Sequence, residues 1–445
     1  MGAGGDADDA GGTKGAVDRR LGLPTTMLLV VASMVGTGVF TTTGYLLRDI
    51  GSITAMLFAW GVGGVVALFG ALAYAELVAA LPHNGGEYQL LSRIYHPSVG
   101  FAAGFTSMVV GFSAPTAASA IAFAQYTNIA LGGEVLPPTA LALALIITTS
   151  AVHAFEVGVG GGFQNAFTAA KILLVALFVG AGLVAGDFGL IEAEGQVDFV
   201  TAIASPAFAV GLIFVSFSYS GWNAAAYVAG EVRDPKKNLP RALILGTGLV
   251  SLLYLGLNLV FVAGADMPTL IEAEAGVGAV AAIALFGESA GRTLAAVIAL
   301  GLVSTVGALV MTGPRVYEAM GRDHGAIAAL ARRRAGGGPL IAIGLQSLIS
   351  IAMVLTASFD ALVTYIGFTL SFFAALTVGG VFLLRHREPD LPRPYRTFGH
   401  PFTSLTFIAL SAWMVVFAIQ QKPVVALVGL GTIGAGLVTW RLVRA

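Results

Sequence analysis

Along the chain, apolar residues come in long runs separated by short polar links. A bilayer core of ~30 Å takes about 20 apolar residues per helical crossing. On that template the pattern predicts about twelve membrane-spanning helices, with approximate limits 22–47, 53–81, 97–131, 138–155, 164–186, 203–229, 241–264, 292–320, 339–357, 361–385, 402–420 and 423–441. The stretch 276–287 is apolar but too short to span, and is expected to form a helix in an extracellular loop. The expected organisation is a disordered cytoplasmic tail over 1–21, five helices over 22–186 and an extracellular loop over 187–202. Five more helices over 203–385, a cytoplasmic loop over 386–401 and a final pair with a short C-terminus over 402–445 complete it.

Basic residues set the orientation. With the N-terminus cytoplasmic, 19 of the 23 Lys and Arg residues fall on the inner side, while only Arg48, Arg292 and Lys422 fall outside and Lys171 lies within a span. That asymmetry is the positive-inside bias of a multi-pass membrane protein, and it places both termini in the cytoplasm of a cell-membrane protein. The outer links are acidic instead, as at Asp187, Asp198, Asp266 and Glu272. Asp6, Asp8 and Asp9 stand where a signal peptide needs positive charge, and Asp6 also breaks a myristoylation signal.

Composition then removes whole classes of function. Apolar residues make up 57% of 445, charged residues 11%, and mean hydropathy is +0.87, whereas a soluble fold carries about a quarter charged residues. A net charge of −1 gives no electrostatic case for nucleic acid. The absence of cysteine excludes disulfides, thiolate metal sites and cysteine nucleophiles together. All six histidines fall in predicted cytoplasmic loops or helix ends, and no HExxH, arginine row or chain of carboxylates crosses the bilayer. Intramembrane proteases, voltage sensors and proton pumps therefore lack their chemistry. No catalytic residue, metal or cofactor is expected, which leaves a transporter, a channel or a membrane scaffold.

Two segments distinguish these. The first helix contains Ser33-Met34-Val35-Gly36-Thr37-Gly38-Val39-Phe40, and two glycines so close weaken a helix by about 1 kcal/mol each relative to alanine. They fit close packing by small residues. They equally fit a broken helix whose exposed N–H groups and positive half-helix end hold a carboxylate. The sixth helix offers Phe217-Ser218-Tyr219-Ser220-Gly221-Trp222-Asn223. Helices one and six are equivalent if 22–186 and 203–385 are inverted repeats, and interruptions at matching positions point to a transporter binding site.

With these segments in place, the chain resembles the amino acid–polyamine–organocation family of permeases over nearly its whole length. The resemblance rests on GTGVF (Gly36 to Phe40), Tyr74-Ala75-Glu76-Leu77 with Leu81-Pro82, and Gly85-Gly86-Glu87-Tyr88. It continues through Asn165 to Lys171, GEVRDPKKNLPR (Gly230 to Arg241), RVYEAMGRDHG (Arg315 to Gly325) and Arg393-Pro394-Tyr395-Arg396. SYSGWN (Ser218 to Asn223) looks most like the L-type branch and its bacterial relatives. The resemblance implies an all-α integral membrane protein with a LeuT-type five-plus-five inverted repeat, broken helices one and six, and two accessory helices. It implies backbone amides of Gly36, Thr37 and Gly38 for the substrate α-carboxylate. Carbonyls around Phe217, Ser218 and Ser220, with others at the helix-one break, would take the α-ammonium, with Phe217 closing over the substrate and Asn223 nearby; Ser33, Tyr219 and Gly221 complete the candidate substrate-binding residues. A zwitterion needs donors at one end and acceptors at the other, and two broken helices supply both without buried side-chain charge.

Lys171 is the one basic residue well inside a predicted span. It lies about two turns from the cytoplasmic end, so it can snorkel. It can also be a buried functional ammonium. The resemblance implies the second, with the ammonium standing where sodium-coupled relatives of the fold hold a cation, beside the helix-one break and hydroxyls such as Ser304 and Thr305. Transport is then sodium-independent. An amine taken out of water holds its proton less tightly, so a proton-coupled symporter using Lys171 is the alternative. Residues 97–131 contain no Asp or Glu to carry a proton, which favours exchange.

No acidic residue is expected near the two breaks, so a neutral amino acid is the expected substrate. Thr37, Ser113, Tyr219 and Tyr365 are candidate pocket residues, and Glu76 is expected to be structural. The expected partners are an amino acid substrate and the lipid bilayer. Without cysteine the chain has no disulfide-linked subunit; a monomer is compatible, and nothing in the sequence sets the oligomeric state. From another class, a membrane-embedded amino acid sensor without transport remains open.

Overall fold

Helix starts are written locally in this chain. Ser52, Ser205 and Ser358 each accept a hydrogen bond from the N–H three residues on, at 3.4, 3.2 and 3.3 Å, filling one of the donors a helix leaves unpaired at its N-terminus. Pro206 follows its cap directly, where a missing N–H costs nothing. The computed structural model describes residues 21–155, 161–192, 197–273, 276–333 and 337–444. The tail expected over 1–21, apart from Leu21, and part of the loop expected over 187–202 lie outside the described residues.

The first span is in two pieces, α1 (Leu23–Met34) and α2 (Gly38–Ile50), and α3 (Ile53–Ala80) is the second. A short α4 (Gly86–Ile94) precedes a third span made of α5 (Pro97–Thr106), a π-helical segment Ser107–Ser113 and α6 (Ala114–Leu131). Next come α7 (Pro138–Phe155), α8 (Gly161–Ala185) and the loop helices α9 (Gly189–Glu192) and α10 (Phe199–Ile203). After α11 (Pro206–Tyr219) the chain breaks and resumes as a 3-10 helix, Ala224–Glu231, ahead of α12 (Pro235–Gly264). α13 (Met267–Glu272) and α14 (Val277–Phe286) lead to the long α15 (Glu288–Asp323). α16 (Leu340–Thr356), α17 (Phe359–Arg387), α18 (Phe402–Gln421) and α19 (Pro423–Val443) finish the chain.

Among the described residues, 11 helical stretches are long and apolar enough to cross a membrane, and α16, at 17 residues, stands where a twelfth was expected. No strand occurs among them, only an isolated parallel bridge between Leu21 and Val232. The fold is all-α and multi-pass. Its centre is built on α3 packed along α12 and α6 packed along α15. Trp60, Tyr219 and Tyr254 form one buried ring cluster there, with centroids 5.1 to 5.9 Å apart. At the periphery α8 and α19 expose Leu173, Leu177, Leu427 and Val438, side chains that lipid solvates and water would not.

Two local features escape a search for 20-residue runs, and both reach the centre. α4 has only nine residues; it buries Glu87, Leu90, Leu91 and Ile94 and leaves Arg93 exposed. Tyr88 donates to Asp323 at the end of α15 at 2.6 Å, which holds α4 against the bundle. In the third span, Pro115 brings no N–H for the preceding turn, and the backbone widens into the π-helical segment just before it. That widening turns Gly111 and Phe112 toward the central cavity.

Candidate substrate site

The helix-one interruption falls at Val35-Gly36-Thr37. Among the described residues no acceptor takes the backbone N–H of Thr37 or Gly38, so donors of the first turn of α2 stand free. Gly36 differs: its N–H goes to the Met34 carbonyl at 2.7 Å. The carbonyls laid bare by the break are partly satisfied from neighbouring helices. Tyr254 on α12 donates to Met34 O at 2.5 Å, and Lys171 on α8 donates to Val35 O. A buried carbonyl left without such a donor costs about 1–3 kcal/mol. Thr37 adds a side-chain contact across the bundle, its hydroxyl 2.9 Å from that of Ser119 on α6.

Helix six stops at Tyr219. Ser220 is extended and Gly221 sits at φ 97°, a left-handed conformation that disfavours any side chain. The two breaks interlock through two glycines. A Cβ on Gly221 would lie 2.5 Å from the Ser33 carbonyl oxygen, and a Cβ on Gly38 would lie 2.4 Å from the Ser218 Cα. Each glycine thus lets one broken helix press on the other's backbone.

A cavity of about 160 Å³ lies at this junction. Thr37, Gly38, Phe217, Ser220, Phe112 and Ser119 contribute to its wall. Past Gly38, along α2, the space closes: Thr42 and Ser218 hydroxyls are 3.1 Å apart, and Tyr45 stacks on Phe359 at 5.9 Å. Lys171 lines a separate, nearly apolar cavity of about 180 Å³ between α8 and α15. Gly36 and Thr305 are common to both cavities, so the helix-one break is the partition between them. No carboxylate pairs with Lys171 among the described residues; its stem runs past Gly301, which leaves it room.

A family model described as amino acid permease matches residues 21–440. The chain belongs to the amino acid permease family. It is a transporter and has no enzymatic role. Similar proteins include the large neutral amino acids transporter small subunit 2 of Mus musculus, 28% identical over 96% of this chain and 81% of the mouse protein. The b(0,+)-type amino acid transporter 1 of Mus musculus is 27% identical over 92% of this chain and 84% of its own length. The Asc-type amino acid transporter 1 of Homo sapiens is 26% identical over 95% and 82%.

Within the permease the candidate residues named from sequence are largely gathered. Ser33, Gly36, Thr37, Gly38, Phe217, Ser218, Tyr219, Ser220, Gly221, Asn223 and Thr305 all line the central cavity. Several are already engaged: Ser218 Oγ donates to Phe214 O at 2.9 Å, and Tyr219 OH to Trp60 O at 3.1 Å. Thr305 Oγ1 donates to Gly301 O at 3.1 Å. Ser304 lines neither cavity. Tyr365 turns to Thr432 at 2.5 Å and Ser113 donates to Met108 O at 2.7 Å, so both serve packing. Glu76 is structural: Arg385 binds both its oxygens at 2.9 and 2.7 Å, and Thr397 donates to it through N and Oγ1 at 2.7 Å.

The expectation of no acid near the breaks is corrected by Glu87. This residue of α4 lines the cavity, accepts from Tyr74 OH at 2.5 Å and from Asn223 Nδ2 at 3.1 Å, and is 3% exposed. Burial pushes its carboxyl up to about 7, against the opposing effect of those two donors. The sequence offered one signal for it, a glutamate set among Gly85, Gly86 and Tyr88 in a segment too short to span. Ser119 and Phe112 were also missed, since a serine or phenylalanine in an apolar run carries no mark of the face it will occupy.

Proposed function

We propose that the protein is a sodium-independent secondary transporter of neutral amino acids that works by alternating access and exchanges one amino acid for another. The observation that carries this reading is the meeting of two interrupted helices at one cavity, with free N–H groups on Thr37 and Gly38. An α-carboxylate matches such a half-helix start through both hydrogen bonding and dipole. Carbonyls at the ends of α1 and α11 offer acceptors for the α-ammonium. The reading takes the two five-helix groups as inverted repeats, α18 and α19 as accessory helices, and both termini as cytoplasmic. In that orientation the Tyr45–Phe359 contact closes the outer side. The names of the similar proteins, which include a large neutral amino acids transporter subunit, support the substrate class. That protein is called a small subunit; the present chain has no cysteine with which to make a disulfide to any partner.

Sodium independence is supported by Lys171. Its ammonium donates to the Val35 carbonyl in the helix-one break, and a fixed positive charge there repels a monovalent cation. The test is counterflow of labelled leucine in proteoliposomes, with and without internal leucine, in sodium and in choline buffer. Uptake that requires internal amino acid and is equal in the two buffers is the expected result. Uptake that rises steeply with sodium overturns the reading, and accumulation driven by a pH gradient alone identifies proton symport instead.

A further inference from the structure

Among the described residues Glu87 is a carboxyl inside the transport cavity, and it has no cation. Both protein donors, Tyr74 and Asn223, fall on Oε1, which leaves Oε2 to the cavity. The titratable groups that face it are the phenols of Tyr74 on α3 and Tyr227 on the 3-10 segment. Nearby cations on α17 are committed elsewhere, Arg385 to Glu76 and Arg387 to the Ile94 carbonyl, and α5 carries no charged residue. Arg93 on α4 itself is turned out to Glu388 at 2.7 Å. A carboxylate buried without a partner is costly, and a cation brought in by a ligand relieves that cost.

The position suits the far end of a substrate. Gly221 abuts Ser33 at the crossing of the two breaks, and Asn223, two residues on, reaches Glu87. Two residues span at most about 7 Å, which is comparable with the four-carbon stem of a lysine. We propose that Glu87 forms a side-chain subsite of the transport cavity that takes the terminal ammonium of a diamino acid, so that cationic as well as neutral amino acids are exchanged. This inference rests on the transport reading above and extends its substrate range.

Protonation gives the subsite a signature. With the Glu87 carboxyl at about 7, its ionised fraction rises roughly tenfold between pH 6 and pH 8, while a lysine side chain near 10.4 stays charged throughout. The experiment is counterflow of labelled leucine and labelled lysine in proteoliposomes of the full chain, at pH 6 and pH 8, for the wild type and for Glu87→Gln and Glu87→Asp. The wild-type lysine-to-leucine ratio is expected to rise several-fold from pH 6 to pH 8. Glu87→Gln is expected to lower the ratio at pH 8 at least tenfold and remove its pH dependence, and Glu87→Asp to retain part of it. A wild type that exchanges leucine and refuses lysine at both pH values overturns the inference, and so does a ratio that is flat with pH. Glu87→Gln matching the wild-type ratio overturns it too. If that variant does not fold, the wild-type pH series decides alone. Absence of leucine counterflow strikes the transport reading rather than this one.

Discussion

Gly38→Ala is the sharpest test of the interlocked breaks. The added Cβ would stand 2.4 Å from Ser218 Cα, 2.5 Å from its Oγ and 2.7 Å from its Cβ. A hydroxyl can rotate, but the Cα belongs to the backbone of α11 and moves only with the helix. Reaching the tight limit of 3.4 Å between carbons requires α2 and α11 to separate by about 1 Å. Overpacking of this kind costs about 1–3 kcal/mol. At 1.4 kcal/mol per factor of ten, the population of the closed junction falls roughly fivefold to over a hundredfold. Leucine counterflow in proteoliposomes is the assay, with the thermal midpoint in detergent as a control for folding. Gly61→Ala, where a Cβ meets nothing within 4 Å, is the comparison and is expected to behave as wild type. Ser218→Gly removes the side chain that the new methyl would strike but leaves the main chain of α11 in its way, so it is not expected to rescue Gly38→Ala. Wild-type counterflow in Gly38→Ala, or full rescue by Ser218→Gly, refutes the reasoning that the two backbones themselves press together.

Other consequences are equally direct. Lys171→Met keeps the stem and removes the donor to Val35 O, leaving a carbonyl that costs about 1–3 kcal/mol unpaired; leucine affinity, read by half-saturation of counterflow, is expected to weaken about tenfold, and unchanged affinity contradicts the assigned hydrogen bond. Glu76→Ala strands Arg385 and two Thr397 donors; a loss of about 3 kcal/mol is expected, toward the low end for a buried pair because Arg385 is 30% exposed, and an unshifted melting curve argues against a structural role. Glu87 makes stability depend on pH. Its carboxyl ionises near 4.5 in the unfolded chain and near 7 in the folded one, so between those values the folded state binds more protons and stability falls as pH rises, by about 3 kcal/mol in all. The thermal midpoint should therefore be higher at pH 5 than at pH 8, and a Glu87→Gln protein that keeps the same difference assigns it to another group.

What the sequence alone dictates follows from the lipid and from local backbone rules. A bilayer demands long apolar helices, and hence the number and rough limits of the spans were set by hydropathy. Gly36 with Gly38, and Ser220-Gly221, marked the interruptions because a helix tolerates such residues poorly wherever they fall. These are properties of a dozen neighbouring residues. The tertiary structure decided everything that depends on which faces meet. It turned Gly36 N–H onto Met34, joined Thr37 to Ser119 and swung Tyr365 toward Thr432, while Ser304 was left off both cavities. It also brought Glu87 to Asn223, 136 residues away in sequence, by folding a nine-residue helix back into the bundle. Amphipathic periodicity has little to say when every side of a helix is apolar, so the rotation of each span, and with it the chemistry of the cavity, is fixed only by packing against its neighbours.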